Sequence, residues 1–296
     1  MGYNKITHIK NQTGAVWTFK LKKFSALRNW IVAKKNKFFS TKDLQGMLQE
    51  WPYDLSHVNV RKIRGLDGKE KIQLRLDMGI LQMEINGRPD GSSPHGEESL
   101  FDYYVKRANN LKSRYSTDDL FKLNHSDCLK LQREALQYYH RFVALLYLKN
   151  YRGVLRDTDH NLRMIDFVNI YALNEQDRWA FEQFRPYLIM MQIRAKASLF
   201  MKQRNYRKAE KTVEGGLTEI ERFYIENELT EQIDSSLILS FLRKWGQEIK
   251  ESRPLSPVEK LQRELDKAVN QEDFERAAEL RDRIQEIQKL GDELLS

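Results

Sequence analysis

Residues 256–287 have the sequence SPVEKLQRELDKAVNQEDFERAAELRDRIQEI. Ser256, Pro257 and Glu259 form a helix-start pattern, because serine caps, proline suits the first helical position and glutamate completes a capping box. A short polar interruption follows, after which Asp273 is placed to cap a second helix. The apolar residues recur at helical spacing, namely Leu261, Leu265, Ala268, Phe274, Ala277, Ala278, Ile284 and Ile287. This stretch therefore predicts two helices joined as a hairpin.

A hairpin of this size buries too little apolar surface to be stable alone, so its apolar stripe must pack against something. Three surfaces qualify: the rest of the chain, a second copy of the protein, or a partner protein. Phe274 is the expected anchor because aromatic side chains dominate interface hot spots. Packing of Phe274 inside the chain stays open as the alternative. The expected partner-binding residues are Phe274, Glu275, Ala278, Glu279 and Arg281, and the charged ones among them would set partner choice.

The segment from Leu261 to Ile284 resembles the UVR motif, which is named for the bacterial excision-repair proteins UvrB and UvrC and also occurs in Clp-protease regulators. The resemblance rests on Asp273-Phe274-Glu275, Ala277-Ala278 and Leu280-Arg281-Asp282. It covers only a small part of the 296 residues. It implies a bacterial cytoplasmic protein whose hairpin binds another UVR hairpin or a different protein partner, as in an adaptor.

The resemblance does not extend to the chemistry of excision repair. The sequence contains no Gly-x-x-x-x-Gly-Lys-Ser/Thr phosphate-binding motif. Cys128 is the only cysteine, which excludes an internal disulfide and a cysteine-rich zinc site and fits a reducing compartment. No catalytic residue, metal or cofactor is therefore predicted. The segments 51–54, 77–84 and 87–96 resemble a group of bacterial UVR-containing proteins, which implies no particular activity.

Positive charge is concentrated at the N-terminus of the chain. Residues 1–46 hold ten of the 50 lysines and arginines and one of the 42 acidic residues, so the remainder is nearly neutral. Only a local argument for nucleic-acid binding is then available. Two interpretations of this segment stay open: an arm that binds nucleic acid or a membrane surface, and an extension outside the natural folded unit. Neither a membrane span nor a signal peptide is predicted.

The region before the helices has the pattern of β-structure. Apolar and polar residues alternate over 72–80, which predicts a strand with one buried face and one face toward water. The alternation changes phase after Gly79, which indicates a bulge or a bend between two strands. The Gly65-Leu66-Asp67-Gly68 segment has the composition of a turn. We therefore expect a small antiparallel element within 57–86.

Helical periodicity dominates the rest of the chain. The predicted helices span 98–112, 126–149, 151–171, 175–203, 206–227 and 231–250. Ser126 or Asp127 is expected to cap the second of them, and Cys128 to be a small buried residue. The predicted fold is α+β and predominantly helical. Its expected regions are an extension at 1–46, a β-hairpin-containing region at 47–112, a helical bundle at 113–250 and the UVR hairpin at 254–296.

An internal repeat links two parts of the bundle. Asn150-Tyr151-Arg152 and Asn205-Tyr206-Arg207 are 55 residues apart, and each is followed by a leucine at the same offset. The second copy resembles a tetratricopeptide-type helical hairpin. Such repeats normally recur at 34 residues, so an ordinary bundle with two similar hairpins stays open as the alternative.

A polar segment at 77–97 is the candidate for a ligand site. Carboxylates and a histidine near a loop can hold Mg²⁺ or transfer protons, although turn chemistry alone produces similar composition. The candidate ligand-site residues are Asp77, Glu84, Arg88, Asp90 and His95. An enzyme built on them is less favoured than a non-catalytic protein.

A basic run provides the candidate nucleic-acid contact, because clustered lysines and arginines neutralise phosphates. A solvated helix face is the alternative. The candidate residues are Arg194, Lys202, Arg204, Arg207 and Lys208.

The main hypothesis is an adaptor that docks a helical partner through its C-terminal hairpin. A nucleic-acid-associated accessory factor is second, and a ligand-binding or enzymatic domain is third.

Overall fold

The structure is a computed structural model that describes residues 43–117, 119–254 and 257–293. It confirms an α+β fold that is predominantly helical. Helix α1 (Gln45–Glu50) precedes strands β1 (Asn59–Arg64), β2 (Glu70–Leu76) and β3 (Gly79–Glu84), which form a sheet in the order β1-β2-β3. The later helices are α2 (Leu100–Tyr115), α3 (His125–Tyr147), α4 (Tyr151–Tyr171), α5 (Glu175–Glu182), α6 (Arg185–Lys202), α7 (Tyr206–Glu226), α8 (Leu237–Ser252), α9 (Pro257–Asn270) and α10 (Phe274–Glu293). Most of the predicted N-terminal extension, residues 1–42, lies outside the described residues.

The described residues divide into two compact units. The first contains residues up to 59 together with 75–81, and the second contains 60–74 and the chain from 82 onward. In the first unit, the Arg75 guanidinium donates hydrogen bonds to the backbone carbonyls of Trp51 at 3.1 Å and Asp77 at 2.9 Å. These bonds tie the turn after β2 to the segment after α1.

Strand β2 is buried on both faces, and the prediction that one face meets water is wrong. Ile72 lies on the predicted inner face and is fully buried, but the intervening residues Gln73 and Arg75 are each only 6% exposed. Arg61 Nε donates to Gln73 Oε1 at 2.8 Å, and Gln73 Nε2 donates to Gln82 Oε1 at 3.0 Å. β2 is the central strand, so its polar side chains form hydrogen bonds to the neighbouring strands in place of hydrogen bonds to water.

Helices α3, α4, α6, α7 and α8 form the bundle, each packing on the next in that order. Its interior is filled by large side chains with almost no exposure: Leu131, Phe142, Leu145, Met164, Met191, Ile220, Leu239 and Leu242. Burial of such apolar surface is the main favourable term in folding. The bundle is therefore the stable scaffold of the second unit.

The helix predicted over 175–203 is two helices, so that prediction is wrong. α5 ends at Glu182 and α6 begins at Arg185, with Pro186 in its first turn. Proline has no backbone N–H and its ring collides with the preceding turn, so it starts a helix but does not continue one. The chain accordingly bends at Gln183 and Phe184.

Two helix starts also differ from prediction. α3 is capped by Asn124, whose Oδ1 accepts the Asp127 N–H at 3.0 Å, and not by Ser126 or Asp127. The last bundle helix, predicted from 231, begins at Leu237 after a short 3-10 turn. By contrast, the bend predicted near Gly79 is confirmed, because the turn between β2 and β3 lies directly before this residue.

The 55-residue sequence repeat is matched by a repeat of backbone geometry. Asn150 has φ −88° and ψ 71°, and Asn205 has φ −92° and ψ 67°. Each asparagine side chain accepts the N–H three residues later at 3.2 Å. The residues immediately before them, Lys149 and Arg204, both adopt positive φ. The two sequence copies therefore form the same corner, before α4 and before α7.

Cys128 is buried, as predicted, and its reactivity should reflect that burial. It is 1% exposed, and burial, assisted by the carboxylates of Asp177 and Asp127, raises the pKa of its thiol to about 11. Because only the thiolate reacts, we expect alkylation by iodoacetamide at pH 8 to be at least about a hundredfold slower in the native protein than in denaturant. Mass spectrometry of the labelled protein measures both rates, and equal rates would show that the thiol is accessible.

A close approach between α6 and α7 requires glycine at position 216. A Cβ atom there would overlap Cγ1 and Cδ1 of buried Ile193, whereas a Cβ at neighbouring Gly215 would meet nothing within 4 Å. We expect Gly216→Ala to lower the free energy of unfolding by about 1–3 kcal/mol through overpacking. Gly215→Ala should raise it by about 0.5–1 kcal/mol, since alanine favours helix. Urea unfolding of the two variants measures this opposite response, and a Gly216→Ala protein as stable as wild type would refute it.

Candidate docking surface

The C-terminal hairpin has a small apolar interior of its own. Ala268, Ala277 and Leu280 are buried between α9 and α10, and two partly buried leucines of α9, Leu261 and Leu265, pack against them. The alanines let the two helices approach closely, as their side chains are short. The helical hairpin predicted from the sequence is therefore confirmed.

The turn between the two helices is held by local hydrogen bonds. Glu272 adopts positive φ at 59°, which reverses the chain after α9. Asp273 then caps α10, with its Oδ1 accepting the Arg276 N–H at 3.1 Å. This cap was predicted from the sequence, whereas the predicted cap at Ser256 lies outside the described residues.

Phe274 lies outside the hairpin interior. Its side chain is 69% exposed at the start of α10, and Val269 at the end of α9 is 50% exposed. Both residues line a groove of about 620 Å³ between the two helices, near the turn. The other lining residues are Leu265, Asp266, Asn270, Ala277, Ala278 and Arg281. The groove thus combines an apolar floor with one acidic and one basic side chain.

The structure brings together three of the five predicted partner-binding residues. Phe274, Ala278 and Arg281 are spaced at i, i+4 and i+7 along α10, which places them on one face, and all three line the groove. Glu275 and Glu279 are exposed but do not line it. The exposed residues of α9 that complete the groove were not singled out from the sequence. The four-residue spacing of Leu265 and Val269 was the signal that could have identified them.

The ion pairs between the described side chains of the hairpin are local. Arg276 contacts Glu279 at 2.9 Å, and Arg281 contacts Asp282 at 2.9 Å, with every one of these side chains more than half exposed. Such exposed pairs contribute little to stability. Their charges therefore remain available to a partner at little energetic cost.

No other helix of the described residues covers the hairpin to any large extent. Among the described residues, α9 and α10 pack extensively only on each other. The apolar residues of the groove thus stay open to solvent, and burying them is favourable whenever a complementary surface is present.

Two of the candidate ligand-site residues, Arg88 and Asp90, contact a network around the buried Glu134 of α3 at the start of α2. Arg88 Nε lies 2.9 Å from Glu134 Oε2, and Arg88 Nη1 lies 3.0 Å from Asp90 Oδ2. Glu134 is fully buried and accepts the backbone N–H groups of Leu100 and Phe101 at 2.8 and 2.9 Å. Burial opposes ionisation of Glu134, but the nearby His160 ring, with Nε2 3.7 Å from Oε1, and the two backbone N–H donors outweigh it and lower the pKa of this carboxyl. The network fastens the 87–96 loop to the bundle.

The other candidate ligand-site residues have separate partners. Glu84 pairs with Lys71, and the His95 ring stacks on Tyr103 at 4.0 Å between centroids. Asp77 lies in the first unit, where its Oδ1 accepts the Met78 N–H at 2.8 Å. No group of three or more metal-ligating side chains occurs in the described part of the chain. Each of these residues thus makes an intramolecular contact, and a ligand role for them stays a prediction.

Four of the five candidate basic residues are exposed, and the fifth is only partly exposed. Lys202, Arg204, Arg207 and Lys208 are exposed around the corner between α6 and α7. Arg194 is only partly exposed; its guanidinium lies 5.0 Å from the centroid of the Phe241 ring, and burial lowers the pKa of Arg194. Four of the five cations therefore share one accessible corner.

No helix in the described ranges is both long and apolar enough to cross a bilayer.

A search of curated proteins finds no match, and a search of solved structures finds none either. One family model matches, and it covers residues 256–290, the region of α9 and α10. The hairpin that carries the exposed Phe274 is accordingly the UvrB/uvrC motif of this chain.

Proposed function

We propose that this protein is an adaptor that docks a helical partner in the groove of its UVR hairpin. The observation that carries the proposal is the exposure of Phe274, whose aromatic side chain is 69% exposed and lines the groove of a hairpin with an apolar interior of its own. Solvent exposure of a large aromatic side chain is unfavourable, and a partner surface that buries it gains stability. No catalytic group enters the proposal.

The groove favours a partner helix with one apolar ridge and mixed charge beside it. Its floor offers Phe274, Val269 and the Ala278 methyl group, and short side chains such as alanine allow a second helix to approach closely. Asp266 and Arg281 at the groove supply one charge of each sign, which would select the orientation of the partner. This arrangement matches the helix-in-groove mode of recognition, in which apolar anchors recur every three or four residues.

The experiment is an affinity capture from cell lysate with wild-type protein, Phe274→Ala and the control Leu237→Ala. Leu237 is 84% exposed on α8, away from the hairpin in sequence. We expect one defined protein that wild type and Leu237→Ala retain and Phe274→Ala loses. Identical captures by all three would contradict a docking role for Phe274.

Self-association is the other form of docking that the groove permits. Sedimentation of the purified protein separates the two forms, because a second copy as partner makes wild type dimeric and Phe274→Ala monomeric. A monomer in both cases, together with a Phe274-dependent capture, favours a different protein as partner. A monomer in both cases without such a capture would contradict the proposal altogether.

A nucleic-acid-associated role is the second candidate, supported by the exposed cations at the corner between α6 and α7. Lys202, Arg204, Arg207 and Lys208 would neutralise phosphates, so binding should weaken steeply as salt rises. Replacing all four by glutamine should abolish such binding while leaving the Phe274-dependent capture intact. Binding that ignores both salt and these substitutions would eliminate this candidate.

The proposal also includes a cytoplasmic location, which the single cysteine and the resemblance to bacterial UVR proteins support. The shared corner geometry at Asn150 and Asn205 supports a tetratricopeptide-like relationship between the two hairpins of the bundle. Under this proposal the bundle is the scaffold and the UVR hairpin is the docking module.

A further inference from the structure

A second concave surface lies in the bundle, far along the chain from the UVR hairpin. Helices α3, α4, α5 and α6 enclose an interhelical cavity of about 700 Å³, within the range of small-molecule sites. The bend between α5 and α6, at Gln183 and Phe184, forms part of its wall. The lining residues are Gln132, Ala135, Leu136, Tyr139, Phe142, Asn161, Ile165, Ala180, Phe181, Gln183, Phe184, Tyr187 and Leu188. None of them carries a charge at neutral pH.

Aromatic rings form much of the wall. Tyr139 meets Phe142 edge to face, with ring centroids 5.4 Å apart, and Tyr187 lies 6.0 Å from Tyr139. Burial raises the pKa of Tyr187 to about 12, so its hydroxyl stays neutral under ordinary conditions. At the cavity, Leu136 and Phe184 are 53% and 56% exposed, which leaves apolar surface open to solvent. A flat apolar molecule would stack on these rings and cover that surface.

One polar atom in the cavity wall lacks a partner. Asn161 is only 5% exposed, and its Nδ2 donates to the carbonyl of Ala135, also in the wall, at 3.0 Å. Its Oδ1 is buried and has no hydrogen-bond partner among the described residues. An unsatisfied buried acceptor is unfavourable by about 1–3 kcal/mol. A donor on a bound molecule would remove that penalty.

We propose that this interhelical cavity binds a small, uncharged, planar apolar molecule that donates one N–H or O–H hydrogen bond to Asn161 Oδ1. The absence of charged side chains from the lining excludes strongly ionic ligands, because burying an unpaired charge is highly unfavourable. The aromatic wall selects flat ring systems, and the buried, unpartnered Asn161 Oδ1 selects those with a donor at one edge. Neither feature involves the UVR hairpin, so the site is independent of the proposed docking function.

Calorimetric titration of the full-length protein with indole and 1-methylindole tests the site. The two probes share shape and apolarity, but only indole has an N–H donor. We expect indole to bind about tenfold more tightly than 1-methylindole, as one hydrogen bond in a dry site provides. Indole-3-acetate should bind more weakly than indole, since its carboxylate finds no cation in the wall. No binding of indole at millimolar concentration, or equal affinity for indole and 1-methylindole, would overturn the proposal.

Three variants locate the bound probe. Asn161→Leu should weaken indole about tenfold and bring the two probes to equal affinity, whereas Asn110→Leu on the exposed face of α2 should change neither. Ala180→Phe should abolish binding of both probes by filling the cavity. Circular dichroism checks that each variant is folded, and the contrast between the probes in wild type tests the proposal without any substitution. Indole binding that survives Ala180→Phe would place the probe elsewhere and refute this site.

Discussion

Replacing Arg141 by methionine should lower the free energy of unfolding by about 3–5 kcal/mol, because it leaves a buried charge without its main partner. The Arg141 side chain is 1% exposed and that of Asp157 is fully buried. Their contact is bidentate, with Nε to Oδ2 at 2.7 Å and Nη2 to Oδ1 at 2.8 Å. Arg141 Nη1 also donates to the carbonyls of Glu84 at 3.1 Å and Gly87 at 2.6 Å. One side chain therefore joins α3, α4 and the loop after β3.

Chemical denaturation of Arg141→Met measures this loss, and two further variants separate its causes. The double variant Arg141→Met with Asp157→Leu should recover part of the stability, since it removes a buried carboxylate whose remaining ion-pair partner is the partly exposed Arg156. Arg243→Met breaks an exposed pair with Glu221 and should change stability by no more than about 1 kcal/mol. If Arg141→Met and Arg243→Met had similar small effects, the buried pair would not be a major contributor.

Replacing Phe274 by alanine should weaken binding of the captured partner about thirtyfold or more. Anchoring aromatic residues in interface centres contribute about 2 kcal/mol or more, and every 1.4 kcal/mol is a factor of ten in affinity. The hairpin itself should stay folded, because the 69% exposed Phe274 side chain adds little to its interior. Calorimetry with the purified partner gives the affinity, and circular dichroism gives the helix content.

Two further variants, one in the groove and one distant from it in sequence, test whether the loss of affinity belongs to the groove. Val269→Ala removes a second exposed apolar residue and should weaken binding less than Phe274→Ala, because its side chain is smaller. Leu237→Ala removes an exposed leucine on α8 and should leave affinity unchanged. Equal losses in all three would point to general destabilisation instead of a defined contact surface.

Local signals in the sequence predicted the elements that depend on local interactions. Helix periodicity and the Asp273 cap specify α9 and α10, and the repeated asparagines at 150 and 205 specify two identical corners. Capping and chain reversal involve residues a few positions apart, so a single sequence contains the necessary information. Exposure of Phe274 depends on what packs against the hairpin, so the sequence alone permits both an exposed and a buried position.

Long-range polar contacts explain what the sequence did not reveal. Gln73 and Arg75 are polar, as expected for the side of a strand that faces water, yet both are buried. Gln73 forms hydrogen bonds to side chains 12 and 9 residues away along the chain. Arg88 meets Glu134 across 46 positions, and Arg141 meets Asp157 only because two helices pack together. Periodicity carries no information on such partners, so candidate ligand residues and structural ion pairs look alike before the fold is known.

Hydrogen exchange with and without the captured partner tests the docking claim most directly. Full-length protein is exchanged alone and in complex, and amide protection is read along the whole chain by mass spectrometry. We expect new protection concentrated at residues 265–281, on both sides of the hairpin turn, and expect it to disappear in Phe274→Ala. Protection confined to the bundle, for example around 202–208, with the hairpin unchanged, would contradict the assignment of the UVR hairpin as the docking module.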